Sequence, residues 1–531
     1  MKFKSIKNIA PVAALVLTMG MTSCNYLDVE PIDPSTVMEV SEPELYTKCY
    51  ANMALAGNTG ANGDCDIDGL DGGTTGFVRQ MFNANVLTTD ESICCWGDEG
   101  IPQFNYGTWD ASHPMLKGFY YRLYTGISYC NHYLDVCADV DETRQAEVRF
   151  LRALYYYYLL DCFGNVPFAT TVSAEKPQQI KRADLYAWIE SELLEVLPDM
   201  EAPQARTSTS TGYGRADQDA ANLLLARLYL NAEVYTGTAQ WSKALEYAEK
   251  VINGPHKLWT GTKNGWSSYQ MLFMGDNGET GASVEAILPL LQDGTTTTSW
   301  GTSLFLMAST WKSDMDINGD YNTTESWAGN RARSQFIAKF FPDGDAPQVT
   351  IDEMAAQAGD DRALFFGVDR ELVVTTPGEF TSGYSVGKFR NTYCDGSAGH
   401  NTQFVDMDYF LMRSAEAYLI AAEADARING GNTTADKGTK YINALRSRAN
   451  ASTTGLYSTQ DILDERAREL YYEGFRRTDL IRYGLFTGNA YVWDWKGGSD
   501  VGASIDSFRS IFAIPSEDCN ANPNLEQNPG Y

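Results

Sequence analysis

Residues 220–252 read AANLLLARLYLNAEVYTGTAQWSKALEYAEKVI, and residues 415–448 read AEAYLIAAEADARINGGNTTADKGTKYINALRSR. Each is a pair of runs in which apolar or small residues return every three or four positions, divided by a polar, Gly-containing turn, the mark of two amphipathic helices. Ala226, Tyr229, Ala244 and Ala248 in the first, and Ala417, Tyr418, Ala421 and Leu445 in the second, fall where a partner helix would pack. Small side chains there let paired helices approach, and stacked pairs bury a continuous core. The spacing predicts a mainly all-α fold, a tetratricopeptide-like helical repeat scaffold with long irregular loops and a few short strands. The same periodicity predicts helix over 43–56, 115–138, 142–163, 182–197, 216–235, 241–252, 408–428, 439–448 and 459–482. Residues 257–403 are instead rich in Gly, Thr, Asn, Asp and Trp. Loops of that length are usually functional. A single domain over 43–531 is expected, with helical scaffold at 43–256 and 404–486 and a ligand face built from 257–403 together with 60–110.

The start of the chain carries Lys2, Lys4 and Lys7, an apolar run from Ile9 to Met21, and then Thr22, Ser23 and Cys24. This is the pattern of a signal peptide, and the run is shorter than the roughly 20 residues a membrane span needs. Residues 1–23 read as a lipoprotein leader, Cys24 as the acylated residue, and 24–42 as a polar tether. The formal charge of -28, from 41 basic and 69 acidic residues, repels nucleic acid and anionic headgroups, so no nucleic-acid partner is expected. Ten cysteines without a C-x-x-C pair and four histidines without H-E-x-x-H give no disulfide framework and no transition-metal site.

Two motifs carry possible chemistry. Gly383-Tyr384-Ser385-Val386-Gly387 matches the nucleophile elbow G-x-S-x-G, but the following KFRNTYCDG does not read as the helix that an elbow needs. A Gly-flanked turn is expected there, with a hydrolase using Ser385 as a minor alternative. Asp314, Asp316, Asn318, Gly319, Asp320 and Glu325 satisfy the calcium-loop pattern D-x-[DN]-x-[DN]-G-x5-E in full. The preceding SLFLMASTWKS (303–313) reads as a strand rather than an EF-hand helix. The expectation is a Ca2+-braced loop outside an EF-hand, with a structural role. Trp96, Trp300, Trp311, Trp327, Trp493 and Trp495 sit among Gly, Asp, Thr and Asn, where no helical period explains them. Exposed indole faces stack on the C–H face of a sugar while neighbouring polar groups bond its hydroxyls, so such a set predicts glycan binding.

Several segments then resemble the SusD/RagB family: CNYLDVEPIDP at the lipoprotein start, RFLRALYYYYLLDCFGNVPF (149–168), GRADQDAANLLLARLYLNAEVYTG (214–237), FLMRSAEAYLIAAEA (410–424), ERARELYYEGFRRTDLIRYGLF (465–486) and the ending FAIPSEDCNANPNLEQNPGY (512–531). DIDGLDGGTTGFVRQMFN (66–83), TTDESICCWGDEG (88–100) and YVWDWKGG (491–498) look most like its starch-binding branch. The resemblance implies an outer-membrane, surface-exposed, non-enzymatic lipoprotein. It would capture oligosaccharides, starch-like α-glucan before fructan, for a SusC-type TonB-dependent transporter. It places the stacking residues on Trp96, Trp300 and Trp327, and the polar contacts on Asp71, Arg79, Asp98 and Glu99. It puts Cys94 where the family has a further stacking residue, and suggests a second calcium cluster near Asp276, Asn277 and Glu279. The reading from another class is an interaction scaffold whose loop tryptophans fill a protein interface.

Overall fold

Capped, amphipathic segments become helices in the computed structural model, which describes residues 41–531 apart from 64, 68, 314 and 316–320. The leader, Cys24, most of the tether, and Asp314, Asp316, Asn318 and Asp320 of the calcium loop lie outside the described residues. The principal helices are α1 (Glu42–Ala54), α2 (Phe77–Phe82), α3 (Pro114–Val136), α4 (Glu142–Cys162), α5 (Arg182–Val196), α6 (Gln218–Leu230) and α7 (Trp241–Asn253). After the loop-rich centre come α8 (Ser303–Ala308), α9 (Ser414–Ile428), α10 (Gly438–Arg448), α11 (Thr459–Leu470) and α12 (Arg476–Arg482). Asp141, Asp217 and Ser458 start α4, α6 and α11 by accepting backbone N–H groups that would otherwise lack partners.

Consecutive helices pack in pairs, α3 on α4, α4 on α5, α6 on α7 and α9 on α10. Helix α7 buries only the stripe Ala244, Ala248, Val251 and Ile252, whereas α6 and α9 are buried over most of their surface. The small residues predicted to face a partner do so: Ala226, Ala244, Ala248, Ala417 and Ala421 are fully buried. The contact of α7 with α9 joins the two sequence-distant parts of the scaffold, and Glu44–Tyr531 forms one compact unit. No helix among the described residues is long and apolar enough to cross a membrane.

Strands are short and antiparallel. β1 (Ser92–Cys94), β2 (Ala286–Leu290), β3 (Asn330–Ala332) and β4 (Tyr409–Arg413) pair as β1 with β3 and β2 with β4. Four expectations need correction. Residues 409–413 are a strand and the helix begins at Ser414, because a short fully buried apolar run has no period to separate the two states. Residues 303–308 are helix α8, not strand, for the same reason in reverse. The helix predicted over 216–235 breaks at Asn231, whose side-chain NH2 donates back to the Arg227 carbonyl at 2.9 Å. The one predicted over 459–482 breaks after Leu470, where Tyr472 and Gly474 adopt φ of 64° and 86°. There the Tyr472 N–H donates to Glu91 at 3.1 Å and its hydroxyl donates to Ser92 at 3.0 Å, tertiary bonds that outweigh local propensity.

Candidate functional site

The β1–β3 pairing brings two distant loops to one face, with Cys94 opposite Asn330. Just beyond it the Cys95 N–H donates to the Gly329 carbonyl at 3.1 Å, and the Trp96 indole N–H donates to the Ala328 carbonyl at 2.7 Å. Gly329 is needed: a Cβ there would lie 2.4 Å from the Trp96 ring. Trp327 is held by its own N–H, which donates to the Ala308 carbonyl at the end of α8 at 2.8 Å, and by its indole N–H, which donates to Glu325 at 2.7 Å. Trp300 stands before α8, at a crossing where the backbones of Gly301 and Gly76 touch. A Cβ on Gly76 would be 2.7 Å from the Gly301 Cα. Its indole N–H donates to Asn62 at 3.2 Å.

The result is a row of half-buried indoles. Trp96 and Trp327 have centroids 6.5 Å apart with planes at 56°, and Trp327 and Trp300 are 6.1 Å apart at 41°. Successive tilts of this size make a curved platform rather than a flat one. Phe305 of α8 backs Trp96 at 6.3 Å, and Phe404 backs Trp300 at 4.9 Å. Arg79, on α2, places its guanidinium 5.5 Å from the Trp96 centroid and 5.3 Å from that of Phe305. It donates to the Gly73 carbonyl at 3.2 Å, while its Nε is buried without a partner. Burial lowers the Arg79 pKa from its ordinary value, against the nearby Asp71, Cys94 and Asp98. Asp71 caps the helical turn Gly72–Thr75 through Thr74 at 2.9 Å and remains exposed, as do Asp98 and Glu99 beyond Trp96. The indoles, the Arg79 cation and the carboxylates of Asp71 and Asp98 that act on it thus come together, while Glu99 is exposed next to Asp98 in the sequence.

The other loop tryptophans do not join them. Trp311 is buried against Tyr321 at 5.2 Å and Trp493 is 2% exposed against Phe486 and Tyr491. Trp495 donates to the Val374 carbonyl at 2.8 Å and packs on Tyr106. Local polarity placed all six in loops, but loops of this length have a core of their own. Cys94 is 2% exposed, so it offers nothing to a ligand. Ser385 is fully buried in a two-residue strand, its hydroxyl donating to the Thr310 carbonyl, so the exposed hydroxyl that an elbow presents is missing at this residue. Phe305, Phe404, Gln403 and Asn62 at the site carried no sequence signal, since each is made relevant only by a long-range contact.

Of the predicted calcium ligands only Glu325 is among the described residues, and both its oxygens are engaged, one by Trp327 and one by the Gln403 side chain at 2.8 Å. In the second suggested cluster, Asp276 accepts from the Cys394 N–H and thiol, and Asn277 donates to the Leu272 and Asp408 carbonyls at 2.9 Å. Glu279, Asp293, Asp406 and Asp408 line a cavity of about 220 Å³ beside it. Burial pushes Asp408 up to about 7, although Gln292 and Tyr213 donate to it. Among the described residues no group of three or more His, Cys, Asp or Glu side chains is arranged to hold a metal ion.

Stacked helix pairs bearing a loop-built aromatic platform define a helical-repeat protein with a curved, half-buried tryptophan surface. The chain belongs to the SusD family, whose profile matches residues 250–531, while a profile described as starch-binding associating with outer membrane matches residues 25–230. It is 40% identical to the starch-binding protein SusD of Bacteroides thetaiotaomicron, over 100% of both chains. A SusD superfamily protein from Parabacteroides distasonis has the same fold, with a TM-score of 0.67 at 20% identity, covering 93% of this chain and 100% of that one. So does surface glycan-binding protein A from Bacteroides uniformis, at 0.66 and 21%, covering 92% and 98%. The helical-repeat architecture and the family expected from the sequence are both borne out.

Proposed function

We propose that this protein is a surface lipoprotein that captures a neutral oligosaccharide, with α-glucan as the preferred ligand, and delivers it to a SusC-type TonB-dependent transporter without chemical change. The row Trp96, Trp327, Trp300 carries this reading, with its tilts of 56° and 41°. A glycan that stacks on all three faces must turn as it passes. An α-1,4-linked glucan coils in this way, whereas a β-1,4-linked chain is a flat ribbon. Arg79, Asp71, Asp98 and Glu99 supply donors and acceptors at the platform edge for sugar hydroxyls. The full-length likeness to a starch-binding protein supports the same ligand class. Acylation of Cys24 would tie the body to the outer membrane by a polar tether, and a structural Ca2+ on Asp314, Asp316, Asn318 and Asp320 would brace the approach to Trp327, both Glu325 oxygens being taken by Trp327 and Gln403.

The test is calorimetric titration of the chain carrying Cys24→Ala with maltoheptaose, a cyclic α-glucan and a fructan oligosaccharide, alongside Trp327→Ala. Loss of the central stacking face is expected to weaken α-glucan binding by about tenfold or more, which corresponds to about 1.4 kcal/mol or more. Fructan binding alone would replace the ligand and keep the platform. Equal affinity in Trp327→Ala would overturn the reading.

A further inference from the structure

Trp327 is the middle member of the platform, so its tilt sets the distance and angle to both neighbours. The rotation of an indole about its second side-chain torsion is soft. Something must hold it. Glu325 accepts the Trp327 indole N–H on one oxygen at 2.7 Å and the Gln403 side-chain NH2 on the other at 2.8 Å. The segment around Glu325 is itself fastened to the 401–404 turn. The Thr323 hydroxyl donates to the Gln403 carbonyl at 2.7 Å and the Thr324 N–H donates to the Thr402 carbonyl at 2.7 Å. Asn401 shapes that turn by accepting the N–H groups of Gln403 and Phe404, at 2.8 and 3.3 Å. Phe404, the next residue, packs on Trp300 at 4.9 Å. One turn therefore reaches two of the three tryptophans, Trp327 through Gln403 and Glu325, and Trp300 directly.

We infer that Glu325 is a positioning residue for ligand selection: with Gln403 it fixes the Trp327 indole, and with the Phe404 contact it sets the Trp300–Trp327 tilt that matches the curvature of the bound glycan. This rests on the platform reading above and adds what determines its shape. In this role Glu325 contacts no sugar. Its carboxylate removes rotational freedom from Trp327 before the ligand arrives, and preorganisation of this kind raises affinity by reducing the ordering that binding requires. A mobile indole would still stack, but would discriminate less between a strongly curved and an extended glucan.

The experiment is a double-mutant cycle in the Cys24→Ala chain, with Glu325→Ala, Glu325→Gln, Trp327→Phe, Trp327→Ala and the pair Glu325→Ala/Trp327→Phe, titrated with a cyclic and a linear α-glucan of equal length. Phe keeps a stacking face but has no N–H for Glu325. Glu325→Ala is expected to weaken the cyclic ligand by about tenfold, the range for one charge-assisted hydrogen bond, and to narrow the cyclic-to-linear ratio. Glu325→Gln, which retains an acceptor, should stay within about twofold of the parent, and Glu325→Ala should have no further effect on Trp327→Phe. A merely structural role would weaken the parent and Trp327→Phe alike, and additivity in the cycle overturns the inference. So does a Glu325→Ala chain with unchanged affinity and ratio while Trp327→Ala loses binding, an outcome that leaves the platform reading standing. Unchanged binding in Trp327→Ala overturns both.

Discussion

A methyl group has no room where Gly301 crosses Gly76: a Cβ on Gly301 would lie 2.8 Å from the Gly76 Cα, backbone against backbone. The same crossing is joined by the Arg79 N–H, which donates to the Gly301 carbonyl at 2.9 Å, so two site residues, Arg79 and Trp300, take their places from it. Gly301→Ala must push the two crossing segments apart. Overpacking of this kind costs about 1–3 kcal/mol, and urea denaturation should show that loss together with weakened α-glucan binding. Unchanged stability would mean that the loops adjust freely. At this scale the sequence was informative about chemistry and silent about geometry. Trp96, Trp300 and Trp327 were legible as loop indoles beside polar residues, but so were Trp311, Trp493 and Trp495: burial removes Trp311 and Trp493, while Trp495 is half-buried like the platform three and is set apart by its contacts to Val374 and Tyr106. Glu325 read as a cation ligand because its spacing fits a calcium loop, while its contacts to Trp327 and Gln403 depend on a turn 78 residues away.

Between elements, the scaffold is closed by a pair of oppositely charged side chains. Arg227 of α6 donates two hydrogen bonds to Glu416 of α9, each of 2.7 Å, with both side chains buried. The guanidinium also lies over Tyr157 of α4 and Phe475, so one residue meets several elements. Removing one member of a buried pair leaves the other charged and desolvated, at a cost of about 3–5 kcal/mol. Glu416→Ala is therefore expected to lower the urea midpoint markedly, and Glu416→Gln to do so less because it keeps one acceptor. A change within the range of a surface substitution would show that water reaches Arg227. Helix pairs were readable from periodicity because α7 carries a stripe of small buried residues. Their ends and interruptions were not. Tyr409–Arg413 and Ser303–Ala308 are buried on every side, and the break at Tyr472 is made by Glu91 and Ser92, which lie near the other end of the chain.

Across the whole molecule, ionic groups are concentrated in the interior as well as on the surface. Arg413 bridges Glu285, Glu469 and Glu473 at 2.7–2.8 Å, Arg362 bridges Asp360, Glu465 and Glu469, and Lys388 reaches Glu473, all buried. Arg362, Arg468 and Arg446 hold Glu465 down to about 2 against its desolvation. Its unfolded value is about 4.3, so its contribution to stability is full above that pH and is lost as pH falls toward 2. Glu91 has the opposite sign. Burial pushes it up to about 8 despite Arg476 and the Tyr472 N–H. Folding then favours its protonated form, and its contribution, full below about 4.3, is lost as pH rises through 8. Glu91→Gln removes the titration while keeping an oxygen for the Tyr472 N–H. Relative to the parent it should be nearly neutral at pH 5 and more stable at pH 9, by an amount on the order of several kcal/mol, since each pKa unit between the unfolded and folded values is worth about 1.4 kcal/mol. Urea midpoints of both proteins across that range test this, and parallel curves would show that Glu91 ionises in the folded chain without cost.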